Sequence, residues 1–271
     1  MADKRSALKQ GQIDILEVLY KYRFGSRQLV ADSLGIKAGS SLYEKLNVLI
    51  RHGLVAMRQE KRLKLLGVPA AYYLTPKGLK TLQALDGHDH ITEATIKASY
   101  RDKVLSQAFV SHTLDVYSLT NALKHQYPDL KVYLRRDMSR FSYFPDSPPD
   151  AFLSLKIGDT PKRFFLDVIP DSLPRNILDR RITGYAEFFD EGGWEATNSE
   201  LPSLLLVTEK GTTETRARRA ASAAINRADI DDELAVYTTT FGALKDAATN
   251  DAVWTSIDDA DELIPLQEIQ S

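Results

Sequence analysis

The 271-residue sequence contains no cysteine. This absence excludes disulfide bridges and thiolate metal sites, and it fits the reducing environment of a cytoplasm. No apolar run approaches the roughly 20 residues that a membrane-spanning helix needs. The N-terminus, MADKRSALKQGQ, also lacks the apolar core of a secretion signal. We therefore predict a soluble cytoplasmic protein that has no membrane partner.

Several catalytic motifs are absent as well. The chain has no Gly-rich phosphate loop, no GxSxG and no HExxH, and its 5 histidines lack a paired ligand spacing. Nucleotide hydrolysis, serine-esterase chemistry and zinc-protease chemistry therefore have no support. The segment DGHDH at residues 86–90 brings two His and two Asp together. We interpret it as a polar linker rather than as a metal site, because no ligand motif supports the latter.

Positive charge is distributed unevenly along the chain. The formal net charge is -2, but residues 1–86 hold 15 Lys and Arg against 7 Asp and Glu, whereas residues 87–271 hold 20 against 30. The length exceeds that of a typical single domain, and the apolar and charged fractions are those of a globular protein. We therefore predict a basic, polyanion-binding domain over residues 1–86 and a second, acidic domain over residues 92–271.

The order of elements in the basic domain predicts a winged helix-turn-helix. Apolar residues at helical spacing predict helices that end near Gly25, Gly35 and Gly53, with Ser26 capping the second and Ser40 or Ser41 the third. Strands over residues 54–57 and 70–74 would flank a wing at residues 58–69. Thr75 and Pro76 would then begin a fourth helix. This order implies double-stranded DNA as the partner.

The third helix would enter a major groove with its polar face towards the base edges. The candidate base contacts on this face are Ser40, Ser41, Tyr43, Lys45 and Asn47. The basic residues of the wing would contact phosphates and supply affinity rather than specificity. These residues are Arg58, Lys61, Arg62 and Lys64. The alternative for the third helix is an ordinary solvated face.

Beyond residue 92 the periodicity predicts a long helix to about residue 126, followed by an α/β domain. The predicted elements are strands at 130–134, 151–157 and 163–169, a helix at 177–189, a strand at 204–207, a basic helix at 213–227 and a strand at 234–238. The long helix offers a dimerisation surface by analogy with winged-helix regulators. The basic helix is a second phosphate contact or, as the pattern favours, a solvated amphipathic face.

The last part of the chain is strongly acidic. From Asp246 onward it holds seven acidic residues and no basic residue. This composition predicts a solvated terminal segment. An alternative is that the segment masks the basic domain.

Two carboxylates stand out in the second domain. Asp150 follows two prolines at the start of a strand, and Asp167 lies inside the apolar strand RFFLDVIP. An acid in such a strand needs a partner, hydrogen bonds or a cation. Neighbouring antiparallel strands would bring both acids to one edge of the sheet. This is the arrangement in which a Mg²⁺-dependent nuclease holds its metal.

These segments resemble those of known families. The pair PDA and FFLDV resembles the restriction-endonuclease core, whose motif is PD, then Asp or Glu, any residue, and Lys. Together, LIRHGLV, YYLTPKG, SHTLDVYSL, PDA, FFLDV, RRITGYAEFF and LLLVTE resemble the replication-relaxation family of mobile-element proteins, some of whose relatives are plasmid-mobilisation relaxases. The resemblance implies an α+β or α/β fold class, with an N-terminal winged helix-turn-helix followed by an α/β domain with a restriction-endonuclease-like core.

The motif departs from the nuclease pattern at its lysine, where this chain has Ile169 followed by Pro170. Without that cation the attacking water and the developing charge lose a partner. Arg181 on the next helix, or its neighbour Arg180, could reach back and place a positive charge where the motif has lysine. Arginine stays protonated, however, and does not act readily as a base. The departure favours a degenerate core that does not cleave DNA.

We therefore predict a sequence-specific double-stranded DNA-binding protein of a plasmid or mobile element that has no cofactor, and the missing lysine favours a second domain without enzymatic activity. It would act as a homodimer in transcription regulation or in control of replication and mobilisation. The alternative is a Mg²⁺-dependent DNA-nicking relaxase or endonuclease. In that case Asp150 and Asp167 would hold the metal, and Arg181 would complete the catalytic set.

Overall fold

The computed structural model describes residues 8–230, 234–259 and 261–269. The chain divides into two compact units, Met1–Asn121 and Ala122–Ser271. This division lies later in the chain than the border predicted between residues 86 and 92, because Ile91 and Ile96 are buried in the core of the first unit. Within the described ranges, no helix is both long enough and apolar enough to cross a bilayer.

The first unit is mainly helical and contains a small antiparallel sheet. Its elements are α1 (Gln10–Tyr22), α2 (Arg27–Ser33), α3 (Ser40–Arg51), β1 (Val55–Arg58), α4 (Lys61–Leu65), β2 (Ala71–Leu74), α5 (Pro76–Gln83), α6 (Glu93–Ser99), a 3₁₀ turn (Asp102–Val104) and the greater part of α7 (Gln107–Gln126). In the β1–β2 pair, Val55 lies opposite Leu74 and Arg58 lies opposite Ala71. The strands therefore lie within one residue of their predicted bounds, and α4 takes up five of the twelve residues that connect them.

Local hydrogen bonds explain where several of these helices begin. The Ser26 hydroxyl accepts from the Leu29 amide at 3.2 Å, and Thr75 accepts from the Gly78 amide at 3.0 Å, so both predicted caps are present. Gly78 has a second role. A Cβ built there would lie 2.0 Å from the Leu54 carbonyl oxygen, so only glycine permits this approach of α5 to the strand.

Two predictions for the first unit are wrong. The N-cap of α3 is Gly39, and no side chain caps this helix, whereas Ser40 or Ser41 was expected. The continuous helix predicted over residues 92–126 is divided into α6, the 3₁₀ turn and α7. The division accommodates Asp102, which is buried and accepts two hydrogen bonds from the Arg23 guanidinium at 3.0 and 2.7 Å.

The second unit is built around a mixed sheet. Its elements are β3 (Lys131–Leu134), α8 (Arg135–Met138), β4 (Ala151–Ile157), β5 (Thr160–Ile169), α9 (Arg175–Asp190), a 3₁₀ turn (Glu195–Thr197), β6 (Ser203–Thr208), α10 (Gly211–Ala228), β7 (Val236–Thr240), α11 (Phe241–Asp246), β8 (Trp254–Ser256), β9 (Leu263–Ile264) and a 3₁₀ turn (Leu266–Glu268). The described strands form one seven-stranded sheet in chain order.

The centre of this sheet is parallel and deeply buried. Strands β5, β6 and β7 run parallel, whereas the remaining neighbours are antiparallel. The crossover helices α9 and α10 pack with side chains of β5 and β6 in one apolar cluster, which includes Phe165, Ile182, Leu206 and Ala221. Every residue of β6 is buried, as expected for a strand in a covered parallel sheet. This packing fixes the positions of both helices relative to the strand ends.

The prediction of a solvated acidic tail is wrong. Residues after Asp246 contribute β8 and β9, and β8 pairs with β7. Trp254, Leu266 and Ile269 are almost completely buried. Their apolar area outweighs the acidic composition of the segment, since the acids between them can remain at the surface.

Candidate functional site

The structure brings Asp150 and Asp167 together at the beginning of β4. Because Ala151 pairs with Leu166 in the antiparallel β4–β5 ladder, Asp150 lies beside Asp167 on the neighbouring strand. The Asp150 amide donates to Asp167 Oδ1 at 3.0 Å, and the Val168 amide donates to Asp150 Oδ2 at 3.0 Å. Both carboxylates are buried. These two hydrogen bonds from backbone amides to carboxylate oxygens therefore fix the position of each acid relative to the other.

Two arginines and a tyrosine complete this carboxylate cluster. Arg181 donates through Nε and Nη2 to both oxygens of Asp167, and its Nη2 lies 3.5 Å from Asp150 Oδ1. Arg135 Nη2 donates to the same Asp150 oxygen at 3.0 Å, and the Tyr185 hydroxyl donates to Asp167 Oδ2 at 2.9 Å. Arg181 and Tyr185 lie four residues apart, on one face of α9. The cluster balances two buried carboxylates with two guanidinium groups.

The protonation states in the cluster follow from this geometry. Burial by itself would lower the pKa of the Arg181 guanidinium, but the charge and hydrogen bonds of Asp167, together with Asp150, raise that pKa above its usual range. Burial raises the pKa of the Tyr185 phenol, and the charge of Asp167 raises it further. Both side chains are therefore hydrogen-bond donors at neutral pH.

The residues present do not fit the Mg²⁺ site that the nuclease resemblance implies. Mg²⁺ takes oxygen ligands in a near-octahedral arrangement, whereas each carboxylate oxygen of Asp150 and Asp167 already accepts a hydrogen bond and Arg181 lies against both acids. In the described ranges, no group of three or more His, Cys, Asp or Glu is arranged to hold a metal. Ile169, at the position of the motif lysine, is buried in the apolar cluster.

The predicted base-contacting residues of α3 differ in their exposure. Ser40, Ser41 and Tyr43 are exposed, whereas Lys45 and Asn47 are half-buried. The Lys45 ammonium lies over Gly11 of α1, because a Cβ built on Gly11 would be 2.7 Å from Lys45 Nζ. Of the predicted base-contacting residues, the exposed ones are therefore those in the first turn of α3.

A cation joins α2 to this exposed turn. The Arg27 guanidinium lies over the Tyr43 ring, 5.9 Å from its centroid. The segment before α2 is in turn fixed to the sheet, because Gly25 and Tyr72 exchange backbone hydrogen bonds of 3.0 and 2.8 Å. Arg27 was not among the predicted residues, and its position follows only from the packing of α2 beside α3.

The basic residues of the predicted wing also fall into two groups, and Arg58 is the last residue of β1 rather than part of the connection. Lys61, Arg62 and Lys64 are exposed on α4. Arg58 is half-buried, and its Nη1 donates to the Asp102 carbonyl oxygen at 3.2 Å, so it is engaged within the first unit. Leu65, at the end of α4, is 88% exposed.

The sequence alone did not indicate Arg135 or Tyr185 as members of the carboxylate cluster. The spacing of Tyr185 could have indicated it, since Tyr185 follows Arg181 by one helical turn in RRITGYAEFF. No sequence pattern indicated Arg135, because its contact with Asp150 depends on the pairing of β3 with β4. Arg180 is exposed and lies outside the cluster.

The sequence model of the replication-relaxation family matches residues 16–204 of this chain. No curated protein matches it. Similar solved structures include two of the restriction endonuclease FokI, one of them bound to DNA, with 12% identity and TM-scores of 0.30 and 0.34. Each alignment covers 86% of this chain and 43% of the FokI chain, so this chain spans less than half the length of that enzyme.

Proposed function

Because the chain belongs to the replication-relaxation family, we propose that it is a sequence-specific double-stranded DNA-binding protein of a plasmid or mobile element. It would control transcription, or replication and mobilisation, as a homodimer. In this proposal residues 1–86 form a winged helix-turn-helix domain. The region from residue 92 onward has a restriction-endonuclease-like core that does not cleave DNA.

The observation that carries the proposal is the exposed, unneutralised charge of α4. Lys61, Arg62 and Lys64 lie on one short helix in the connection of the β1–β2 pair, and none forms an ion pair with an acid within the described residues. Cations in such a position bind phosphates, because each contact releases counterions from the DNA. They supply affinity that does not depend on sequence.

The first turn of α3 supports a sequence-reading role. Its Ser40, Ser41 and Tyr43 side chains are exposed, and residues at the N-terminus of a recognition helix are those that meet base edges. The contact of Arg27 with Tyr43 gives the ring a preferred orientation before DNA binds. Lys45 and Asn47 are half-buried and therefore less accessible to DNA. Arg58 is engaged in a hydrogen bond within the first unit.

The carboxylate cluster supports the absence of cleavage. Arg181 contacts both acids at the place where a nuclease would hold its metal. A metal would have to displace this guanidinium and leave it buried without a partner. The second unit therefore serves as a platform for assembly or for a partner protein.

The DNA-binding proposal is tested by measuring the affinity of the Arg62→Ala variant for duplex DNA over a range of salt concentrations. Loss of one phosphate contact should reduce the slope of log K against log salt by about 0.9 for every sequence. Tyr43→Ala should instead reduce the preference for the chain's own upstream region over random duplex. Lys97→Ala is the matched control, since Lys97 is exposed on α6 of the same unit. An unchanged slope for Arg62→Ala would contradict the assignment of α4.

The non-cleaving assignment is tested with supercoiled plasmid that carries the upstream region, in Mg²⁺, in Mn²⁺ and in EDTA. We expect a retarded but intact plasmid under all three conditions. Relaxed circles that require metal and that disappear in a folded Asp167→Asn variant would contradict this assignment. They would establish the nicking alternative, with Asp150 and Asp167 as metal ligands.

A further inference from the structure

A second feature of α9 lies outside the carboxylate cluster and has no part in the proposed function. Residues of α9 and α10 line a cavity of about 350 Å³ in the second unit. Such a volume is typical of sites for small ligands. We name it the arginine cavity after its lining.

The lining of the arginine cavity is strongly cationic. Among the described residues it contains one acid, Asp179, and four arginines: Arg175, Arg216, Arg219 and Arg227. The second unit is acidic by composition, so this concentration of arginine is local. A cavity lined mainly by charge of one sign concentrates ions of the opposite sign.

Arg216 is the most informative member of this set. Its Nε and Nη2 atoms are inaccessible to solvent and have no hydrogen-bond partner within the described residues. Buried donors in folded proteins are almost always paired, and each unpaired one therefore requires an explanation. Because Arg216 also lines the cavity, its positive charge lies at the cavity wall, and these two nitrogens have no acceptor among the described residues.

The other arginines are only weakly engaged. Arg175 Nε lies 3.7 Å from Asp179 Oδ2, and Arg227 Nη1 donates to the Thr183 hydroxyl at the long distance of 3.4 Å. Arg219 is exposed at the cavity. Most guanidinium N–H groups in the lining are therefore available to a ligand, since each guanidinium carries five donors.

The remaining lining residues define a ligand with a polar and an apolar part. Thr212 belongs to the first turn of α10, where the helix dipole favours a negative group. Ala220, Ala223 and Ala224 provide an apolar wall. A single carboxylate would satisfy only one guanidinium fork, whereas phosphate groups offer several oxygens and match the fork geometry of arginine.

We propose that the arginine cavity binds phosphate groups. The same chemistry is found in a free phosphorylated compound, such as a nucleotide or pyrophosphate, and in the backbone of DNA. This proposal is based on the residues that line the cavity, and it does not depend on DNA binding by the first unit.

The test is isothermal titration of the full chain with inorganic pyrophosphate, with ATP and with a duplex oligonucleotide. Arg216→Ala and Arg219→Ala should each weaken binding of the recognised probe about tenfold or more, which corresponds to about 1.4 kcal/mol. Arg180→Ala is the matched control, because Arg180 is an exposed arginine of α9 outside the lining. It should leave the affinity within about twofold, well below that tenfold step.

The three probes distinguish the sources of the phosphate. Binding of pyrophosphate or ATP that is selectively lost in the two variants identifies a free phosphorylated compound. A selective loss seen only with the duplex identifies the DNA backbone. If no probe distinguishes Arg216→Ala and Arg219→Ala from Arg180→Ala, the proposal is wrong. Arg62→Ala should leave pyrophosphate binding unchanged, so this outcome is independent of the DNA-binding proposal.

Discussion

The carboxylate cluster and the arginine cavity share helix α9 but differ in how completely their charges are matched. In the cluster, Arg181 and Arg135 meet two buried acids, and Tyr185 supplies a further hydrogen bond. In the cavity, four arginines face one acid, and two buried nitrogens of Arg216 have no partner within the described residues. A network whose charges are matched internally stabilises a fold. A group of arginines whose hydrogen-bond donors have no acceptor in the protein is instead suited to binding a ligand.

The comparison also shows that the positive charge of the carboxylate cluster comes from a helix and not from strand β5. Ile169 places an apolar side chain in the core where the motif has lysine. Arg181 reaches the acids from α9 and neutralises them. The two acids thereby link β4 and β5 to α9.

The largest expected effect comes from removing the cation of the cluster. Arg181→Ala would leave two buried carboxylates without their shared partner, and breaking a buried ion pair in this way costs about 3–5 kcal/mol. The free energy of unfolding, measured in urea, should fall by that amount. Arg180→Ala, one residue away and exposed, should change it by less than about 0.5 kcal/mol. Equal stability of the two variants would mean that the cluster is not a structural unit.

A smaller effect is expected for the hydroxyl of Tyr185. Tyr185→Phe removes one hydrogen bond to a charged acceptor and should lower the free energy of unfolding by about 1.5 kcal/mol at neutral pH. Because the pKa of this phenol is raised in the folded state, its contribution is fully present below the unfolded pKa of about 10. It is lost as the pH rises through the folded pKa.

The pH dependence provides the check on that prediction. The difference in stability between the parent protein and Tyr185→Phe should be constant from pH 7 to about 9, below the tyrosine pKa. It should shrink at higher pH. The other tyrosines are common to both proteins and cancel in the difference. A difference that grows with pH would contradict the assigned direction of the pKa shift.

Much of the second unit could be predicted because its strands have strong sequence patterns. The strand expected over residues 151–157 is β4, and the juxtaposition of Asp150 with Asp167 follows from antiparallel pairing with the next strand. The closing strands β8 and β9 were missed, because they are short and lie among acids. Trp254 was the signal that they belong to a core.

The candidate sites were harder to predict, because they depend on distant contacts. Periodicity places Lys45 on the polar face of α3, but its ammonium lies over Gly11 of α1, in space that a side chain at Gly11 would take up. Arg58 belongs to a basic run, yet the buried turn at Asp102 engages it. The basic face of α10 was interpreted as solvated, whereas packing against α9 partly buries Arg216 and removes its Nε and Nη2 from water.

The smallest expected effect on stability is that of a substitution in the arginine cavity. In a buffer without phosphate, Arg216→Ala should change the free energy of unfolding by less than about 1 kcal/mol, because the buried donors that it removes have no partner to lose. The same urea titration that detects the large effect of Arg181→Ala measures it. A loss of stability comparable with that of Arg181→Ala would show that Arg216 is held by an internal acceptor. The cavity would then be a second structural network, and the contrast between the two regions of α9 would disappear.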